Sequence, residues 1–396
     1  MHNLVSISSI TSKGLDKSQF VFRPSSLKKS VNYFLDNFQG QSIYAVKTNA
    51  DPFILKHIYQ NGIKAFDVAS IEEVKLVHDL FDGVEIFFMN PVKSRNAIKT
   101  AYFDYGVRHF SIDHEHELEK ILTETNNAKD LNLHVRLAIP NNFAEISLSD
   151  KFGVNLQKAP DLIKKTAKYA NNIGVCFHVG SQSMHPDSYL IAIRTVKDVI
   201  AKANLLPKYF NVGGGFPSIY PGSIPPCLKS YFNLIEKEFK SIPNSDKMHL
   251  IAEPGRAIVA ESMSLIVKVE LRKNDHLYIN DGTYGSLFDA GVLGFVFPTK
   301  LICNYKIYPT DLMPFSFYGP TCDSLDYMKG PFYLPNEIKE GDYIEIGQVG
   351  AYAKAMATGF NGFYCEENII NINDEPLMTM YGQNHSVNEK FEIVAA

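Results

Sequence analysis

The sequence predicts a (β/α)8 TIM barrel followed by a second, mainly antiparallel β domain. Three observations carry that prediction. Short apolar or β-branched runs occur eight times between residues 42 and 255, most of them separated by segments of helical spacing. Beyond about residue 260 the strand-like runs follow one another without long helices. A chain of 396 residues is also long enough for two domains and a large buried core.

The eight runs lie near 42–49, 64–70, 84–91, 107–113, 132–139, 174–180, 209–215 and 249–255. Between them, "DSYLIAIRTVKDVIAKANLL" sets Leu190, Ile193, Val196 and Ile200 on one helix face. "CLKSYFNLIEKEFKSI" does the same with Leu228, Tyr231, Phe232, Ile235 and Phe239. Periodicity alone does not close a barrel, so a doubly wound open sheet is the alternative. The later runs are "SLIVKVELR", "HLYIND", "GFVFPTKLI", "FSFYG", "DYIEIG" and "NIINI". Domain limits follow as 22–260 for the barrel and 261–396 for the β domain. Residues 1–21 are candidates to join the latter, because the run "QFVFRP" precedes the first barrel strand.

Composition narrows the function classes. Hydrophobic residues make up 45% and charged residues 21%, as in ordinary globular proteins. Basic and acidic side chains number 39 and 43, with no basic block, so neither nucleic acid nor an anionic membrane surface is expected as a partner. The first twenty residues lack a signal peptide's apolar core, and no window reaches membrane-spanning length. The five cysteines (Cys176, Cys227, Cys303, Cys322, Cys365) are scattered without CxxC spacing, which suits a reducing cytoplasm. No metal site is expected, and "DHEHELEK" reads as the exposed start of a barrel helix. The 21 tyrosines and 27 phenylalanines read as core and interface packing.

In such a barrel, functional groups gather at the C-terminal ends of the strands. Those ends carry Lys47, Asp67 with Ser70, Asn90, Asp113, Arg136, His178 with Ser181, Gly213-Gly214-Gly215, and Glu253 with Arg256. Each has a plain structural reading: a solvated lysine, a core histidine, a tight turn, an ion pair on a loop. Together they suit an anionic cofactor. Three glycines let backbone N–H groups converge on phosphate oxygens. Arginine adds a charge-assisted hold, and Glu253 can pair with a protonated ring nitrogen.

At this point seven stretches carry a resemblance: "YAVKTN", "FDVAS", "HVGSQ", "GGGFP", "AEPGR", "GPTCDSLD" and "GAYAKAMATGFNGF". In this order, from about residue 20 to 365, the chain resembles the ornithine/diaminopimelate decarboxylase family. Those enzymes depend on pyridoxal 5'-phosphate and have an alanine-racemase-like barrel with a β domain. The resemblance implies that Lys47 holds the cofactor's aldehyde and Glu253 its pyridine nitrogen, while His178 stacks on the ring. Ser181, Gly213, Gly214, Gly215, Arg256 and Tyr352 fall where the family binds phosphate, and Asp67 and Arg136 match polar residues lining the pocket. Cys322 matches a thiol brought from the second subunit of a dimer to protonate the α-carbon, which implies a homodimer with shared active sites. Asp323 stands where diaminopimelate decarboxylases resemble "CES". A short carboxylate there suits a substrate's terminal ammonium, and Asp289 is a second such candidate.

The resulting expectation is decarboxylation of a small amino acid, L-ornithine, to putrescine. A lysine/ornithine or diaminopimelate decarboxylase is the alternative within the class. A non-catalytic relative that binds a regulator and a dinucleotide-binding barrel are the alternatives outside it.

Overall fold

The computed structural model describes residues 5–12, 14–139, 144–146, 151–303, 311–363 and 368–382. The chain forms two compact units. One comprises Val31–Pro217 and Pro225–Gly255; the other comprises Met1–Ser30, Ser218–Ile224 and Arg256–Ala396. Residues 256–260, placed with the barrel on sequence, thus group with the β unit. The physical reason lies in their carbonyls: Ala257 O accepts from Tyr381 Oη, Ile258 O from Ser30 Oγ, and Ala260 O from Gly350 N.

The first unit is a parallel barrel. Its strands are Gln41–Ser42 with Tyr44–Ala45, then Ala65–Val68, Glu85–Phe88, His109–Ile112, Asn132–Arg136, Asn172–Cys176, Tyr209–Asn211 and His249–Ala252. Closure comes from the split first strand. Gln41–Ser42 pairs with the last strand, Tyr44–Ala45 pairs with the second, and Ile43 N donates to Ala252 O between them at 2.9 Å. An open doubly wound sheet would leave the first or last strand with a free edge, so this pairing excludes it.

Three of the early strands hand over to their helices through a side-chain cap. Asp51, Ser70 and Ser94 accept from the backbone N–H of Phe53, Glu73 and Ala97, opening helices Pro52–Gln60, Ile71–Leu80 and Arg95–Phe103. The expected helix faces are largely the buried ones. In Asp187–Ala203, Ile193, Val196 and Ile200 are buried, but Tyr189 takes the interior place expected for Leu190. In Leu228–Lys240 all five expected residues are buried.

Inside the barrel, Ile43, Ala65, Phe87, Met89, Cys176 and Ile251 form one apolar cluster. Burial pushes the Cys176 thiol up to about 12, so it behaves as an inert apolar side chain. Nearer the strand starts the interior turns polar. His109 Nδ1 lies 3.0 Å from His134 Nε2, and His109 Nε2 lies 3.1 Å from Glu85 Oε1.

The second unit is an eight-stranded sheet built on the long strand Met263–Lys273. Tyr343–Ile346 and His276–Ile279 flank it antiparallel, and Thr299–Ile302, Leu312–Tyr318 and Tyr327–Pro335 extend the sheet. The early run Gln19–Phe22 pairs antiparallel with Met263–Lys273 and parallel with Ile370–Asn371. Tyr327–Pro335 had no counterpart among the expected runs, because Gly330 and two prolines interrupt its alternation. Among the described residues no helix is long and apolar enough to cross a membrane.

Burial, and then the neighbouring His109, push the His134 pKa well below its ordinary value. The folded chain therefore holds fewer protons than the unfolded chain below about pH 6.5, and that part of its stability is lost as pH falls through the window beneath it. The expected outcome is a melting temperature that declines from pH 7.5 to pH 5. The decline should be shallower in His134→Gln, as read by calorimetry at each pH; an equal slope would remove His134 from the account.

Candidate active site

Strand register brings the barrel's functional groups together. Ala45 stands beside Asp67 in the first pair of strands, and Lys47 follows two residues later in the turn Val46–Thr48. Its Nζ lies 3.5 Å from Asp67 Oδ2. At the last strand, Glu253 N donates to Gly213 O at 2.8 Å, and Asn211 Nδ2 donates to Glu253 Oε1 at 2.7 Å. Arg136 ends the fifth strand. His178 follows the sixth strand, where its Nδ1 accepts from Gly180 N at 3.0 Å, so the ring carries its proton on Nε2 when neutral.

These groups share one electrostatic environment. Burial pushes Glu253 up to about 7, the Asp67 carboxylate adds to the rise, and Lys47 and Arg136 oppose it. Asp67 is likewise raised by burial against the pull of Lys47 and Arg136. Burial and the same two cations hold His178 well below its ordinary value, which keeps the imidazole neutral. An acid balanced near neutrality beside a lysine and a neutral imidazole is equipped to bind and orient a heteroaromatic ring.

The triple glycine is shaped for an anion. Gly213 and Gly215 adopt φ of +69° and +102°, and a Cβ at Gly213 would meet Phe177 O at 2.1 Å. All three carbonyls are engaged: Gly213 O by Glu253 N, Gly214 O by Tyr189 Oη, and Gly215 O by Ser183 N. Gly213 N donates to Asn211 Oδ1. Among the described residues no acceptor meets Gly214 N or Gly215 N. Two outward amides on a turn whose carbonyls are all tied back fit a phosphate.

The β unit holds two further clusters. In the first, Arg256 Nη1 donates to Tyr220 Oη at 2.9 Å and to Asp289 Oδ2 at 3.0 Å. Its Nε is buried with no partner among the described residues, a second donor suited to an anion. The guanidinium lies 4.9 Å from the Tyr352 ring, and Tyr352 holds a φ of +57° that bulky residues rarely adopt. Asp289, expected as a partner for a substrate ammonium, is instead buried and spent on this arginine.

In the second cluster, Asp323 Oδ2 accepts from Tyr284 Oη at 2.6 Å and Oδ1 accepts from Leu325 N at 3.0 Å. Those two hydrogen bonds hold its pKa below the ordinary aspartate value. Cys322 N donates to Asn361 Oδ1. The buried Asp326 ties the loop down by accepting from Thr283 N, Thr321 N and Thr321 Oγ1. Cys322 is exposed, as are Leu325, Phe360 and Phe363, and Asp323 beside it is half-buried.

Other expected strand-end residues serve the scaffold. Ser70 caps a helix, Asn90 Nδ2 donates to Val92 O, and Asp113 accepts from Gly153 N. His114 of "DHEHELEK" caps the helix Glu115–Glu124. Ser181 sits in the short strand Ser181–Ser183, paired with Ala144–Ile146. Sequence reasoning missed Asn211, Tyr220 and Tyr284. Asn211 stood two residues before the glycines and could have been found; the tyrosines carried no positional signal.

Residues 24–260 match the family described as pyridoxal-dependent decarboxylase, pyridoxal binding domain. The lysine/ornithine decarboxylase of Selenomonas ruminantium is 33% identical over 343 residues, 84% of this chain and 84% of that protein. Mouse (Mus musculus) ornithine decarboxylase is 31% identical over 397 residues, 91% of this chain and 81% of that protein. The arginine decarboxylase of Paramecium bursaria Chlorella virus, crystallised with agmatine, superposes with a TM-score of 0.81 at 27% identity, covering 93% of this chain and 100% of that one.

The Asp289–Arg256 pair can be tested without any ligand. Asp289→Ala strands a buried guanidinium, and the expected loss of folding stability is about 3 kcal/mol by denaturant titration. A variant as stable as the parent would return Asp289 to the pool of substrate residues.

Proposed function

The chain belongs to the pyridoxal-dependent decarboxylases, and from that premise we propose that it removes the α-carboxylate of L-ornithine, releasing putrescine. The observation that carries the chemistry is Lys47 beside two buried carboxylates in a barrel mouth that also holds two unengaged glycine amides. When bound, pyridoxal 5'-phosphate supplies an electron sink for the pair left on Cα as CO2 departs.

The chain's own groups divide the remaining work. Lys47 Nζ would hold the cofactor's aldehyde carbon, a role open to a lysine near other charges and partly out of water. Glu253 holds a proton at the pyridine nitrogen, and Asn211 fixes the carboxylate that does so. His178, kept neutral, stacks on the ring. Gly214 N and Gly215 N bind the phosphate, with Gly213 shaping the turn and Ser181 adding a hydroxyl. Arg256 and Tyr352 of the β unit are assigned to the phosphate by their match to the family's motifs. Asp67 and Arg136 set the field in which Lys47 and Glu253 work. Cys322 Sγ is assigned the proton delivered to Cα, a general-acid role open to a thiol.

Asp323 supports the ornithine reading. Its charge is preserved by Tyr284 and Leu325 N, and a short carboxylate beside the thiol suits a terminal ammonium. Lysine differs by one methylene, worth about 1–3 kcal/mol in a pocket, so a lysine/ornithine decarboxylase is the second reading, favoured by the Selenomonas relative. Diaminopimelate would bring a distal carboxylate toward Asp323, and like charges repel. A non-catalytic regulator-binding relative would have no need of the lysine, acid, histidine and thiol together.

The exposure of Cys322, with Leu325 at 71% close by in the chain and Phe360 at 41%, supports a homodimer. On this reading each copy lends its loop to the other's site, and a lone chain is incomplete.

Three measurements test the reading. Purified protein given the cofactor should show the absorbance band of a lysine-bound aldehyde, and Lys47→Ala should lose it; a parent protein without the band defeats the enzyme reading. Offered ornithine, lysine, diaminopimelate and arginine side by side, the protein should form putrescine fastest, and a preference for diaminopimelate would overturn the role of Asp323. Mixing inactive Lys47→Ala with inactive Cys322→Ala should restore about a quarter of parental activity through randomly formed mixed dimers with one intact site each. No recovery, with exchange of subunits verified, would refute shared sites.

A further inference from the structure

We propose that Tyr189 is a positioning residue for the phosphate amides: its hydroxyl locks the Gly214–Gly215 peptide so that Gly215 N–H faces the anion. The inference rests on the cofactor reading above and concerns one hydrogen bond within the barrel unit.

A peptide group is planar and almost always trans, so the carbonyl of Gly214 and the N–H of Gly215 belong to one rigid plane and point in opposite directions. Fixing the oxygen therefore fixes the hydrogen. A peptide flanked by glycine on both sides has little steric resistance to reorientation, so its direction has to be imposed from outside. The preceding peptide is held by Glu253 N, which anchors Gly213 O and so aims Gly214 N–H. The following one is held by Ser183 N through Gly215 O. Between them, Gly214 O accepts only from Tyr189 Oη among the described residues, at 2.9 Å.

The donor is well made for the task. Tyr189 is fully buried on the helix Asp187–Ala203, where burial and then the neighbouring Tyr231 push its pKa well above the ordinary value. The hydroxyl thus keeps its proton throughout the working range. Its ring stacks on Phe216 with centroids 5.1 Å apart and meets the Tyr231 ring edge-on at 6.1 Å. Packing holds the ring regardless of the hydroxyl, so Tyr189→Phe removes the anchor and little else.

The test compares two ligands that differ only in the phosphate. Apo-protein and apo-Tyr189→Phe are titrated with pyridoxal 5'-phosphate and with pyridoxal, following the absorbance of the lysine-bound aldehyde. The variant should bind pyridoxal 5'-phosphate about fivefold more weakly, the size of one hydrogen bond, with pyridoxal affinity unchanged. The rise in melting temperature that inorganic phosphate gives the apo-protein should shrink in parallel. Equal affinity for pyridoxal 5'-phosphate in parent and variant overturns the proposal, and so does an equal loss for both ligands, which marks a merely structural role. Should Tyr189→Phe not fold, 3-fluorotyrosine at position 189 gives the readout. As a stronger donor of nearly the same size it should tighten pyridoxal 5'-phosphate alone, and no change there counts against the proposal. A parent protein that binds neither ligand sinks the cofactor reading itself, an outcome separate from these.

Discussion

The mouth of the barrel depends on a balance of charge that no single residue could maintain. Glu253 and Asp67 are carboxylates withdrawn from water, and each is drawn toward its neutral form by that burial. Lys47 and Arg136 pull the other way. The result is an acid poised near neutrality, a lysine amine 3.5 Å from a carboxylate, and a histidine kept uncharged by burial first and by both cations second. Removing one partner would shift the protonation of the others, so these groups constitute one site even though Lys47 and Glu253 lie about two hundred residues apart.

The scaffold exists to hold that balance in place. Closure through the split first strand puts Lys47 next to the second strand and, through Gln41–Ser42, makes the last strand its neighbour on the other side. The glycine turn is knit into the same frame, since the amide of Glu253 anchors Gly213 and Asn211 bridges the acid and the turn. The acid and the glycine turn are thereby referred to one set of strand ends, where small displacements of the backbone are resisted by the parallel ladder.

The β unit follows a different logic. Its arginine is oriented by a buried acid and a tyrosine, and its exposed thiol loop is held by a buried aspartate that accepts from three donors. The loop is firmly fixed while Cys322 and Leu325 on it stay open to solvent. Asp323 gains from the same fixation: with both oxygens engaged by neutral donors, it keeps its charge while remaining accessible.

Much of this was legible in the amino-acid order. Local alternation fixed the eight barrel strands, because strand and helix periods are properties of neighbouring residues, and the strand ends named Lys47, Asp67, His178, Glu253 and the glycines. Tertiary structure decided what depends on long-range partners. Asp289 could not be read correctly from its own neighbourhood, because what neutralises it is an arginine 33 residues away. Tyr189 displaced Leu190 from the interior because helix phase is set by what the helix packs against. Its hydroxyl acquired a purpose only when a glycine carbonyl 25 residues later came within 2.9 Å. Sequence carries the chemistry each side chain can perform; which atoms meet, and so which of those capacities is used, is settled when the chain closes on itself.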